Sequence, residues 1–162
     1  MAGKNDFLAF YEAHVQRIYK FVYFRVGSRK EVAEDLVQDI FIKAFQAFDR
    51  YDERKGVSAW IYTIARNTVI NHHAKRKADV TLEEIEASPI VSADARKEEL
   101  LHDDERHLAE ALAKLDPEDA RLIRMKHLEG WSYVDLAEVF GKTQGTLKTQ
   151  ASRAVSKLRT LI

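Results

Sequence analysis

The chain has 162 residues, 26 basic and 26 acidic side chains, 46% hydrophobic residues and no cysteine. That length allows one domain or two small ones with a real core, and the missing cysteine excludes disulfide scaffolds, thiolate zinc sites and cysteine nucleophiles. The N-terminus has no apolar leader and no stretch approaches a membrane span, so a cytoplasmic protein without membrane insertion is expected.

Only 6 Gly and 2 Pro punctuate the chain, and apolar residues recur at steps of three and four. The pattern predicts an all-α fold. Residues 6–26 carry Phe7, Phe10, Ile18, Phe21 and Val22 on one stripe, with Gly27 as the C′ residue. Ser28 and Glu31 then suggest a capping box that opens a second helix, whose stripe runs from Val32 through Val37, Ile40, Phe41 and Phe45 to Phe48. After a charged loop, Asp49–Val57, Ser58 is the expected cap of a third helix reaching about Lys77. Residues 79–96 read as a linker: one helical turn is possible over 81–86, and Ser88-Pro89 stops it.

A second helical set follows. Leu100, Leu101, Leu108, Leu112 and Leu115 keep register over 97–115, and Asp116-Pro117-Glu118-Asp119 is a strong helix start that predicts a helix to about Gly130. Ser132 and Asp135 form another capping-box pattern, with Trp131 placed to staple onto Leu136. The short helix 133–140 stops at Gly141, and a last helix starts at Thr143 or Gln144. Residues 132–158 therefore read as a helix-turn-helix.

The neutral total hides segregated charge. Residues 1–78 hold 14 basic and 9 acidic side chains, residues 79–110 hold 3 and 11, and residues 111–162 hold 9 and 6. Two stretches, 54–78 and 141–162, contain no acid at all. Two cationic surfaces separated by an anionic segment point to polyanion binding at both ends. On the last helix Leu147, Ala151, Ala154 and Leu158 share the inner direction. Thr146, Lys148, Thr149, Ser152, Arg153, Lys157 and Arg159 lie outward or on the flanks, a mixture suited to a DNA major groove. Thr149, Ser152 and Arg153 are the candidate base-edge contacts, with Lys148 and Arg159 on phosphates. In the third helix and its preceding loop, positive charge mixes with Trp60, Tyr62, Asn67, Asn71, His72 and His73, which suits single-stranded DNA. Trp60 and Ile64 also fit a plain core reading.

Three stretches, in order, carry a resemblance. They are Ala33-Glu34-Asp35-Leu36-Val37-Gln38-Asp39-Ile40-Phe41, then Ala59-Trp60-Ile61-Tyr62-Thr63-Ile64-Ala65-Arg66-Asn67, then Leu128-Glu129-Gly130-Trp131-Ser132-Tyr133 through Gly145-Thr146-Leu147-Lys148-Thr149. With them the chain resembles an extracytoplasmic-function (ECF) sigma factor, the smallest class of sigma-70-type bacterial transcription initiation factors. The resemblance implies two small helical domains: a sigma-2-like bundle over 1–78 and a sigma-4-like helix-turn-helix domain over 97–162, joined by the acidic linker 79–96. It implies docking on core RNA polymerase, on the clamp helices of the largest subunit through Asp35, Gln38, Asp39, Ile42 and Phe45, and on the β flap. It further implies capture of the melted promoter −10 element by Arg54, Lys55, Tyr62, Arg66, Asn67, Asn71, Lys75 and Arg76, and reading of the −35 duplex by the last helix. The acidic linker would run toward the RNA exit path. An anti-sigma factor is an expected partner, and no cofactor, metal or active site of the chain's own is expected. The family commonly has Arg where Gln150 stands, a basic residue at Val155 and Pro at Thr143. With the sequence ending at Ile162, no appended regulatory domain is expected.

Two rival readings differ in class. A metal-dependent helical enzyme would use the Glu99–His102 and Asp104–His107 pairs, but both sit on one helix and no matching carboxylates face them. A free-standing helix-turn-helix regulator would need a dimerisation helix for palindromic half-sites, and none is spare.

Overall fold

The structure, a computed structural model, describes residues 4–51, 54, 56–75, 80–87 and 103–162. Among the described residues there are helices and connecting turns and no strands. Lys55, Arg76, Glu99 and His102 lie outside the described residues, as does most of the linker.

Helices α1 (Lys4–Arg25), α2 (Lys30–Ala47) and α3 (Val57–Ala74) pack against one another in pairs. Their stripes meet as the periodicity requires. Ile18, Phe21 and Val22 of α1, Ala33, Ile40 and Ala44 of α2, and Ile61, Ala65 and Val69 of α3 are all fully buried. An aromatic knot closes one end of the bundle. Phe7, Phe10, Phe48, Tyr51 and Trp60 meet in tilted or edge-on pairs with centroids 5.0–6.3 Å apart, so Trp60 is a packing residue.

Two expected caps are absent. Gly27 (φ +73°) and Ser28 (φ +57°) both take the left-handed conformation, and the Ser28 N–H donates to the Tyr23 carbonyl at 3.1 Å. Ser28 thus completes the C-terminal turn of α1, and Arg29 becomes the N-cap of α2 without a side-chain bond. Likewise α3 begins two residues early, with Gly56 rather than Ser58 as its N-cap. Ser58 lies inside the first turn, where its hydroxyl is engaged by a carboxylate from far along the chain. The helix ends at Ala74, short of the expected Lys77.

In the second half, α4 (Leu82–Ala87) is followed by α5 (Asp103–Lys114), α6 (Pro117–Ile123), α7 (Tyr133–Phe140) and α8 (Gln144–Leu161). Asp116 caps α6 by accepting from the Glu118 N–H at 3.1 Å. The Ser132–Asp135 capping box is formed in both directions, and Trp131 and Leu136 are both fully buried. The single helix expected to Gly130 instead widens into a π turn over Arg124–Leu128, with the Glu129 N–H reaching back to the Arg124 carbonyl.

The two halves share one continuous core. Residues 82–87, expected within a free tether, form a helix packed on α6, with Leu82, Ile85 and Glu86 buried. Glu86 sits at the centre of a buried ionic cluster. Arg25 Nε donates to its Oε1 at 2.6 Å, Arg124 Nη1 to its Oε2 at 2.5 Å, and Arg25 Nη1 also reaches Glu129 Oε2 at 2.8 Å. All four side chains are at most 1% exposed. Replacing Glu86 by Gln leaves two buried guanidiniums facing one carboxylate, and the expected loss is about 3–5 kcal/mol in urea denaturation.

His14 is the second buried polar group at the junction. Its Nδ1 accepts from Arg17, which also pairs with Asp135. Burial first, and the Arg17 charge next, push its pKa down to about 4. Between about pH 6.5 and 4 the unfolded chain therefore binds a proton that the folded chain refuses, so stability falls on acidification. The full window corresponds to about 3 kcal/mol. Denaturation midpoints at pH 7 and pH 4.5 should show this loss, and His14→Gln should remove most of it.

Candidate nucleic-acid interface

The helix-turn-helix is built by local chemistry. Gly141 (φ +65°) ends α7 in the left-handed conformation, and the Thr143 hydroxyl accepts the Thr146 N–H at 3.2 Å to start α8. Leu147, Ala151, Ala154 and Leu158 are buried against the rest of the second half. This leaves Thr146, Lys148, Thr149, Ser152, Arg153, Lys157 and Arg159 all exposed on a helix that contains no acid. The Thr149 hydroxyl donates to the Gly145 carbonyl at 3.1 Å, which fixes its rotamer. No acidic side chain pairs with Lys148, Arg153, Lys157 or Arg159 among the described residues, so their donors face outward.

Gln150, where the family commonly has Arg, is half-buried and turned inward. Its amide donates to Asp119 Oδ1 at 2.9 Å and accepts from Lys142 Nζ at 3.2 Å. Lys142 also pairs with Glu118 at 2.6 Å, and that hydrogen bond holds the Glu118 carboxyl below the usual range. The two acids of α6 nearest the recognition helix are thereby tied up by its own flanking residues.

The π turn adds residues that sequence reasoning missed. Lys126 Nζ lies 4.7 Å from the Tyr133 ring centroid and Lys148 Nζ 5.6 Å from it. His127, Tyr133, Lys148, Ser152, Ser156 and Arg159 line an acid-free notch along the flank of α8. A regular helix at Lys126 gave no sign of this placement. The signal available was Lys126-His127 standing just before the Gly130 turn.

On α3, Asn67, Asn71 and Lys75 are exposed and Arg66 is partly so, its Nη1 donating to Asn67 Oδ1 at 3.2 Å. Arg54 is exposed in the preceding loop. Tyr62 departs from expectation: it is 5% exposed. Trp131 meets its ring edge-on at 6.2 Å, and Arg121 Nη1 donates to its hydroxyl at 2.9 Å. Burial raises the Tyr62 pKa, against the pull of Arg121 and Arg25. In this arrangement Tyr62 cannot meet a base.

A third surface lies on α2. Asp35, Gln38 and Asp39 are exposed one turn apart, and Ile42 and Phe45 follow at 55% exposure each. Acid beside large exposed apolar groups suits protein docking better than chemistry. No group of three His, Cys, Asp or Glu placed to hold a metal occurs among the described residues, and no described helix is long and apolar enough to cross a membrane.

Residues 10–78 match the family model for Sigma-70 region 2, and residues 106–158 match that for Sigma-70, region 4. The ECF RNA polymerase sigma factor BldN of Streptomyces coelicolor is 32% identical over 99% of this chain, which spans 62% of that relative's length. The RNA polymerase sigma factor CarQ of Myxococcus xanthus is 27% identical, over 99% of this chain and 91% of its own. Among solved structures, the sigma factor RpoE of Bartonella quintana, in complex with the anti-sigma factor NepR, aligns with a TM-score of 0.62. It shares 26% identity, with 96% of each chain covered. The chain belongs to the sigma-70 family, in its ECF branch.

Proposed function

We propose that this chain is an RNA polymerase sigma factor that docks on core polymerase, recognises a promoter at two elements and directs transcription initiation. The observation that carries the reading is the pairing, in one chain, of two acid-free cationic surfaces on α3 and α8 with matches to sigma-70 regions 2 and 4. A free-standing regulator would explain α8 alone and leave α2 and α3 without a task.

In this reading residues 1–78 serve as the core-binding and −10 domain, and residues 97–162 as the −35 domain. Ile42 and Phe45, with Asp35, Gln38 and Asp39 around them, dock on the clamp helices of the largest subunit, and the second domain meets the β flap. Thr149, Ser152 and Arg153 reach base edges in the major groove, while Lys148, Arg159 and the notch beside His127 and Tyr133 take backbone phosphates. Thr146 and Lys157 flank that groove contact. Arg54, Lys55, Arg66, Asn67, Asn71, Lys75 and Arg76 hold the separated strand, and Tyr62 joins them once uncovered. The chain contributes binding and strand capture, and the polymerase performs the chemistry in the cytoplasm, where DNA and polymerase are. An anti-sigma factor is the expected inhibitory partner, in line with the complex solved for the relative RpoE.

Mixing the protein with core polymerase and genomic DNA, then sequencing transcript 5′ ends, tests the reading directly: a shared upstream motif is expected, and random or absent starts refute it. With that motif in hand, Arg153→Ala should cost about 1–3 kcal/mol and relax one −35 position. Lys148→Ala should weaken all sequences alike and lower the salt slope by about 1. Phe45→Ala should reduce affinity for core polymerase about tenfold or more while leaving helical content unchanged.

A further inference from the structure

The two flanks of α8 differ in chemistry. One is the acid-free notch beside His127 and Tyr133. The other is a groove of about 560 Å³ where α6 packs on the first turns of the recognition helix, lined by Asp119, Gly145, Thr146, Thr149, Gln150 and Arg153. Asp119 is the one acid among these lining residues, and it shares the groove with Thr149 and Arg153, two of the three candidate base-edge contacts.

The amide of Gln150 holds the carboxylate in place. Lys142 Nζ donates to Gln150 Oε1 at 3.2 Å, and the other end of the amide, Nε2, donates to Asp119 Oδ1 at 2.9 Å. Lys142 is itself anchored on Glu118 at 2.6 Å. Asp119 is thus fixed by a neutral partner, and no Lys or Arg pairs with it among the described residues. An ionised carboxylate has about four acceptor sites and no donor. Tied down by one bond, Asp119 keeps most of its accepting capacity for whatever enters the groove. An Arg at position 150 would instead lay a guanidinium against the acid and neutralise it. The neighbours complement this acceptor. Thr149 spends its hydroxyl hydrogen on the Gly145 carbonyl and offers a methyl group and lone pairs, whereas Arg153 offers donors alone.

We propose that Asp119 is a specificity-determining residue of the −35 contact: its carboxylate accepts from the exocyclic amine of a base, cytosine N4 or adenine N6, beside the position that Arg153 reads. The inference rests on α8 as the −35 reader and adds to it a residue from another helix. In the major groove C and A present an amine where T and G present the acceptors O4 and O6. The acid discriminates twice, through a charge-assisted bond to the amine and through repulsion of the carbonyl oxygens. The same repulsion keeps phosphates off this flank and leaves the acid-free notch as the side along which the DNA backbone runs. One helix thereby separates base reading from backbone contact.

The test uses holoenzyme assembled from the full chain and core polymerase. It is mixed with promoter DNA randomised across the −35 element, and the bound fraction is sequenced. R153A marks the position that Arg153 reads. At a neighbouring position the wild type should favour A or C over G and T about tenfold. D119A should lower that preference below about twofold and leave the other positions as they are. D119N retains a carbonyl for the Gln150 bond, so the junction of α6 and α8 is kept, and its amide nitrogen should admit G and T at the same position. Preference for A alone names adenine N6 as the donor, and preference for C alone names cytosine N4. An unchanged profile in D119A and D119N overturns the proposal. So does an equal loss at every position, the result expected of a merely structural tie between α6 and α8. If the wild-type holoenzyme enriches no −35 motif, the sigma-factor reading fails and the inference falls with it. A wild-type motif indifferent to Asp119 removes the inference alone.

Discussion

The arrangement of the whole molecule depends on one buried carboxylate. Glu86 receives Arg25 from α1 and Arg124 from the π turn, and Glu129 meets the other side of Arg25. Taking four charges out of water is costly, and their mutual attraction repays that cost only in good geometry. Such a cluster is a poor source of net stability and a strong selector of position, since any slip leaves a guanidinium or carboxylate buried alone. It therefore fixes where the second half sits on the first. It also converts residues 82–87 from tether into helix, because Glu86 has its two partners only when α4 lies between the end of α1 and the π turn.

Charge segregation has a structural counterpart. The acids of the second half are spent inward: Glu118 and Asp119 hold Lys142 and Gln150, Asp135 caps α7 and bonds Ser58, and Glu138 caps α3. With their carboxylates so occupied, α8 presents hydroxyls, amides and cations without local neutralisation. The same economy explains the missing side-chain cap of α3. Gly56 gives up its own cap and leaves room for one delivered from eighty residues away.

What was legible in the sequence was what local chemistry decides. The helix stripes, the Gly27 and Gly141 stops, the Asp116 cap and the Ser132–Asp135 box each depend on residues within four positions, and each is present. Serine before a helix is an ambiguous signal by comparison. Ser28 was drawn into the left-handed turn that closes α1, and Ser58 was drawn inside its helix by a partner from α7. The π turn was illegible for another reason: Arg124 must turn inward to meet Glu86, a contact across 38 residues, and the extra residue in the turn is compatible with that buried placement. At the candidate interface, the outward residues of α8 and α2 could be read from helical phase. Tyr62 could not, because its covering comes from Trp131, which local patterning assigns only to a staple on Leu136.

The packing of the two halves leaves two of the three candidate surfaces accessible. Ile42 and Phe45 remain more than half exposed and the outer face of α8 is exposed, while at the start of α3 Ser58 is buried. Which surfaces stay reachable is set by interior contacts: the ionic cluster that seats α4 and the π turn against α1 accompanies the placement of α7 on the first turn of α3, where Glu138 and Asp135 meet Ser58.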